Sequence, residues 1–192
     1  MTDIIYEDYP YTCGERKDEK LNKRIISLAR RHKFYLPQVQ SVLKGDRGWG
    51  LRSKSYQICV AKKPMRKDYK VVGFIIYSGN SLWGNKGTRM CMSLEYWLVD
   101  KKFQGQGIGK ALYGEMEKTA TEWGLVNYSV MYKKDDEKLK DLYTKLGYEF
   151  IPKWDGVENI TSRPSDNHLQ VYKIVISKYR IPDEEELWDL LA

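Results

Sequence analysis

QGQGIGK (residues 104–110) sets three glycines at alternate positions and closes on a lysine. Glycine lets backbone N–H groups converge on an anion without Cβ collisions, and a helix N-terminus adds orphan donors and a partial positive charge. Three phosphate-binding signatures are separated by spacing. A P-loop needs glycine five positions before the glycine of GK[ST]; Gln104 stands there, and Ala111 replaces the hydroxyl residue that would hold magnesium. The dinucleotide fingerprint needs its third glycine where Lys110 stands. A kinase loop needs that same third glycine, and neither HRD nor DFG follows. What is left is Q-x-x-G-x-G, a diphosphate turn of another kind; the plainer alternative is a tight strand-to-helix turn without a ligand.

Outward from the turn, MCMSLEYWLV (residues 90–99) alternates as a strand with Ser93, Glu95 and Trp97 on one face and Leu94, Tyr96 and Leu98 on the other. Downstream, Ile108, Ala111, Leu112, Met116, Thr119, Ala120 and Trp123 recur at helical spacing. Residues 125–132 read as a buried strand. A helix carrying Leu139, Leu142, Tyr143 and Leu146 follows, capped by Asp135 or Asp136 and stopped by Gly147. Residues 148–151 and 169–176 supply closing strands. On the N-terminal side, IIYEDYPY reads as a first strand, and Leu21, Ile25, Leu28 and Ala29 mark an amphipathic helix. A short second helix is expected between Pro37 and Gly45. Residues 56–62 and 70–77 read as strands joined by a basic turn around Pro64, and Gly79-Asn80 as the start of a turn-rich connection. This order predicts an α/β (α+β) fold: a mixed sheet with helices packed against it. One domain over residues 1–180 is expected, followed by an acidic tail at 181–192.

Gln104-Gly105-Gln106-Gly107-Ile108-Gly109, set between a strand and an amphipathic helix, resembles the GNAT superfamily of acetyl-CoA-dependent N-acetyltransferases. DLYTKLGYEF (residues 141–150) is similar to that family's later helix, with its tyrosine four residues before a Gly-aromatic pair. The two resemblances cover about residues 90–150. They imply a mostly antiparallel central sheet with a splayed strand pair at the cofactor site. They imply acetyl-CoA as co-substrate, its diphosphate held by Gln104, Gly105, Gln106, Gly107, Ile108, Gly109 and Lys110, and its pantetheine arm paired with the backbone of Leu98 and Val99. Lys110 is equally readable as a solvated helix residue.

The acceptor implied is a free amine. At pH 7 a lysine-like ammonium costs roughly 4–5 kcal/mol to deprotonate, so a base or a dry site helps. The resemblance places Glu95 where a strand-four base can stand; the plainer reading is a solvent-facing or ion-paired glutamate. It makes Tyr143 the acid that reprotonates the departing thiolate, or else a core residue of its helix. Asp136 stands where relatives often carry an asparagine beside pantetheine, and it can equally be a helix cap. Met131 occupies the position of a fifth-strand glutamate base, which excludes that variant. Ser93 can hold a water or simply pack.

The whole chain has 192 residues and a formal charge of +7, with basic segments at residues 15–33 and 62–70. Such a charge suits a polyanionic cofactor, RNA or an acidic partner, as well as ordinary solvated surface. Three scattered cysteines and two histidines give neither a disulfide framework nor zinc-ligand spacing, so no metal is expected, and a cytoplasmic setting is. No apolar run reaches membrane-spanning length. The function expected is N-acetylation by direct attack in a ternary complex, on a small amine, a protein amine or an aminoacyl-tRNA, with a homodimer left open. The alternative is a non-catalytic module that binds CoA or another protein.

Overall fold

The computed structural model describes residues 3–11, 18–44, 56–84, 87–123, 125, 127–133, 135–149 and 168–174. Among them six strands form one sheet in sequence order: β1 (Ile5–Tyr11), β2 (Tyr56–Met65), β3 (Asp68–Gly84), β4 (Gly87–Val99), β5 (Asn127–Lys133) and β6 (His168–Ile174). All neighbours are antiparallel except β4 and β5. That parallel pair needs a crossover, which helix α3 (Ile108–Glu122) supplies after a 3-10 turn at Lys101–Phe103. Helices α1 (Glu19–Arg31) and α2 (Leu36–Lys44) join β1 to β2, and α4 (Glu137–Lys145) follows β5.

The helices lie where their apolar stripes can be buried. In α1, Leu21, Ile25, Leu28 and Ala29 are fully buried, each large side chain worth about 1.5–3 kcal/mol of transfer free energy. They meet Ile58, Val60, Phe74 and Ile76 on one face of the sheet. Asp18 starts this helix by accepting from the Leu21 N–H at 2.9 Å. Ile108, Leu112, Met116 and Ala120 of α3 meet Cys59, Ile75, Tyr77, Met92 and Leu94 on the other face. Two cores thus sandwich a single sheet.

Several sequence expectations are corrected. Gly79-Asn80 does not turn the chain: β3 runs on to Gly84 in a long hairpin with β4. Pro64 lies within β2, and residues 66–67 make the turn. The faces assigned to β4 also change. Ile76 pairs with Tyr96 and Tyr77 with Leu94, so Glu95 is an extra residue, a β-bulge. A bulge inverts alternation beyond it. Leu94 therefore joins the α3 core, Tyr96 and Leu98 join the α1 core, and Trp97 and Val99 pack on the α3 side. Of the two closing strands, residues 168–174 form β6; 150–151 and 175–176 lie outside the described residues, as do the loop at 152–167 and the tail at 181–192.

Candidate active site

The parallel pairing of β4 with β5 is short: Met92 with Tyr128, Ser93 with Ser129 and Leu94 with Val130. Beyond Leu94 the two strands part. β4 continues to Val99 while β5 goes to Lys133 paired with β6. The expected splay is present, and the bulged Glu95 stands at its apex, the first β4 residue past the last rung.

At the far end of β4 lies the glycine turn. Gly105 and Gly107 have φ of +76° and +79°, in the left-handed region that strains other residues. A Cβ built on either meets nothing within 4 Å, so both glycines border open space. The first intrahelical bond of α3 runs from the Ala111 N–H to the Gly107 carbonyl at 3.0 Å. The amides of Ile108, Gly109 and Lys110 therefore lack intrahelical acceptors, as the first turn of any helix requires. The Ile108 side chain is buried in the core while that of Lys110 is exposed.

Gly109 also meets a packing demand that its motif does not announce. A Cβ there would stand 3.2 Å from Trp97 Cζ2. The residue lets α3 sit directly on the Trp97 indole, which also stacks on Tyr113 with ring centroids 5.7 Å apart. Trp97 Nε1 is buried with no acceptor among the described residues, and lies 3.8 Å from where that Cβ would be. The amides of Gln104 and Gln106 are spent on the turn itself: Gln104 Nε2 donates to the Val99 carbonyl at 3.1 Å and Gln106 Nε2 to the Lys102 carbonyl at 3.3 Å. Gln104 thereby occupies a carbonyl that the sequence reading offered to pantetheine.

Sequence reasoning missed Asp100, the residue that begins this turn. It is buried, its N–H donates to the Val72 carbonyl at 2.8 Å, and its Oδ1 accepts from the Lys102 N–H at 3.2 Å. Arg31 and His32 at the end of α1 and Lys70 of β3 approach it to 3.3, 3.5 and 3.5 Å. Oδ2 meets Arg31 and Lys70 without hydrogen-bond geometry, so the attraction there is one of charge. Burial works against the ionised form, but the Lys102 N–H, Lys70 and Arg31 outweigh it and hold the carboxyl below its usual range. An aspartate just after a strand and just before two lysines was the available signal.

Glu95 Oε1 accepts from Ser78 Oγ at 2.8 Å, and Ser78 is fully buried on β3. The Glu95 charge is felt by two phenols: burial first, and then Glu95, push Tyr56 and Tyr96 up to about 12. Ser93 bonds to Ser129 across the middle of the three rungs at 2.8 Å. Tyr143 is buried in the α3 core between Tyr132 and Tyr148, with ring centroids 5.5 and 5.6 Å away. Burial, followed by Asp136 and then Tyr35, pushes its hydroxyl well above the ordinary tyrosine value.

Tyr35 connects the two sides. It follows α1 with φ of +37°, Lys33 before it has φ of +51°, and the intervening Phe34 is anchored edge-on to Phe74 and Tyr96. The Tyr35 ring stands 6.1 Å from that of Tyr96 and its phenol acts on Tyr143. No sequence pattern announces left-handed backbone at a lysine and a tyrosine, so this wall was not foreseen. Asp136 caps α4 by accepting from the Leu139 N–H at 3.0 Å, and Gly147, at φ +86°, ends that helix as expected. Cys59 is buried, and burial pushes its thiol far above the reactive range, so it is no nucleophile. The Cys91 side chain and the whole of Cys13 lie outside the described residues.

Known proteins share this arrangement. No curated protein sequence matches the chain. Among solved structures it is similar to Arabidopsis thaliana NAA60 in complex with acetyl-CoA, with TM-score 0.62 and 12% identity over 91% of this chain and 100% of that one. It is also similar to a GNAT-family acetyltransferase from Staphylococcus aureus Mu50 (TM-score 0.57, 15% identity, 90% and 99% covered). Ard1 from Thermoplasma volcanium is a third (TM-score 0.55, 17% identity, 90% and 99% covered). At such identities the likeness is one of fold. The sequence model of the acetyltransferase (GNAT) family matches residues 22–148, a stretch that contains the glycine turn, the bulged strand and Tyr143. With most of its length matched, the chain belongs to the acetyltransferase (GNAT) family.

Proposed function

We propose that the protein is an N-acetyltransferase that moves an acetyl group from acetyl-CoA to a primary amine within a ternary complex. The observation that carries this reading is the opening between β4 and β5, with Glu95 at its apex and a helix N-terminus with uncommitted amides at its mouth. The groups present fit the cofactor. Gly105 and Gly107 leave room for a diphosphate, and the amides of residues 108–110 and the Lys110 ammonium supply charge and donors. β4 backbone beyond Leu94 is left by β5, which gives an amide-rich arm an edge to pair with. The Val99 carbonyl serves that purpose only if the Gln104 amide releases it.

Acetyl-CoA would supply the thioester, whose acyl carbon takes the nitrogen lone pair as the carbon–sulfur bond breaks. Glu95 accepts the proton that the acceptor ammonium must lose before its nitrogen can attack. Tyr143 keeps its proton across the physiological range because burial disfavours the phenolate. It donates a hydrogen bond toward the departing sulfur and passes its proton there once thiolate charge has developed. A pKa raised this far makes outright transfer costlier than an ordinary tyrosine would, so stabilisation by hydrogen bonding is the larger part of its role. Tyr35 and Tyr96, their rings 6.1 Å apart, would stand on the acceptor side.

The test is acetylation of an amine panel, comprising small amines, peptides and aminoacyl-tRNA, read by mass spectrometry. Glu95→Gln is expected to lower kcat by about 100- to 10,000-fold on an acceptor of high pKa while cofactor affinity holds. Tyr143→Phe should lower it less. Full turnover in both variants would remove these roles. A wild-type chain that binds CoA and acetylates nothing in the panel would instead identify a binding module.

A further inference from the structure

Three serines lie in one row across the sheet. The register pairs Tyr56 with Ser78, Ser78 with Ser93, and Ser93 with Ser129, so all four hydroxyls are on the same face. The neighbouring positions of that face are Ile58, Val60, Phe74 and Ile76, an apolar core. Ser78 and Ser129 are essentially fully buried. A hydroxyl placed in such surroundings costs free energy unless a bond repays it, so each needs a partner. Ser129 has Ser93, and the two join β4 to β5 one rung before the strands separate. Ser78 has the carboxylate of Glu95.

That second pairing follows from the strand. Glu95 stands two residues beyond Ser93, the rung partner of Ser78, and so keeps to the same face. The register steps over it from Leu94 to Tyr96, and its Oε1 meets the Ser78 hydroxyl at 2.8 Å. A carboxylate on a bulge has backbone freedom that a ladder residue lacks, so its direction must be fixed by something else. Ser78 is itself fully buried and paired on both sides, with Tyr56 and with Ser93, which makes it a firm anchor.

We propose that Ser78 is the positioning residue for Glu95: its buried hydroxyl, donated to Oε1, fixes the bulged carboxylate at the apex of the splay. This rests on Glu95 as the base. A hydroxyl donated to a carboxylate bonds the charged form more strongly than the neutral one, so its removal can be read in a titration. A serine that merely filled space would leave Glu95 indifferent to its removal.

The experiment follows Glu95 in the full chain by NMR with glutamate labelled at the δ-carbon, the resonance assigned by its loss in Glu95→Gln. Ser78→Ala is expected to raise the Glu95 midpoint by about one pH unit, a tenfold change in its dissociation constant. The acid limb of kcat/KM for whichever panel amine reacts should move up equally, with KM for acetyl-CoA unchanged. Thermal stabilisation by CoA, measured alongside, establishes that Ser78→Ala is folded with its cofactor turn intact. An unchanged midpoint overturns the proposal, as does a shifted midpoint with an unshifted acid limb. If Glu95→Gln turns over at the wild-type rate, Glu95 is not the base and the catalytic part of the proposal falls with it. The titration then still reports whether Ser78 sets the carboxylate.

Discussion

At the residue scale, the three glycines of one motif do two separable things. Gly107→Ala forces a left-handed alanine where nothing crowds the Cβ, a strain of about 1–2 kcal/mol. Gly109→Ala has ordinary backbone but presses on a Trp97 ring already backed by Tyr113, an overpacking cost of about 1–3 kcal/mol. Pairing each with Trp97→Phe tells them apart by thermal melts. The smaller ring should recover stability for Gly109→Ala and leave Gly107→Ala no better off. The sequence made all three glycines visible but could not say which faces the ligand and which faces protein. That depends on a tryptophan twelve positions earlier, on a strand whose alternation misleads.

At the element scale, Asp100 ties the end of α1, the start of β3 and the 3-10 turn into one corner. Asp100→Asn leaves Arg31, His32 and Lys70 facing one another. The expected loss is about 2 kcal/mol, below the 3–5 of a fully buried pair because Arg31 and Lys70 reach water. Since the native pKa is lowered, the stability this group contributes is complete above the ordinary aspartate range near pH 4 and is lost as pH falls through the native value. Denaturant melts from pH 7 to pH 2 should therefore show a shallower acid decline in Asp100→Asn; parallel curves would contradict the charge-based role. Helices and the ends of α4 were legible beforehand because their signals are local: Asp136 and Gly147 each act within a few residues. The bulge and this corner were not, since both depend on how separate strands and helices come to lie together.

At the scale of the whole molecule, a ligand that binds only the folded chain must stabilise it. CoA at a hundred times its Kd should add about 2.7 kcal/mol, visible as a rise in Tm. Dephospho-CoA should give less, and added salt should weaken both, as a chain of net charge +7 meeting an anion requires. A Tm that does not respond to CoA would count against the cofactor reading as a whole. The class of fold was readable from the order of elements around residues 104–110. The setting of Tyr35 against Tyr96 was not, because it depends on backbone and ring geometry with no counterpart in sequence pattern.

The extra residue in β4 sets the strand's handedness of burial. Were residue 95 instead taken into the ladder as an ordinary rung, the strand would run unbroken and everything after it would swap sides. Leu98 would be thrust under α3, Trp97 would turn toward α1, and the small residue at 109 would face a gap where an indole had been. The change would therefore reach beyond one acidic side chain, to the seat on which the first turn of α3 rests.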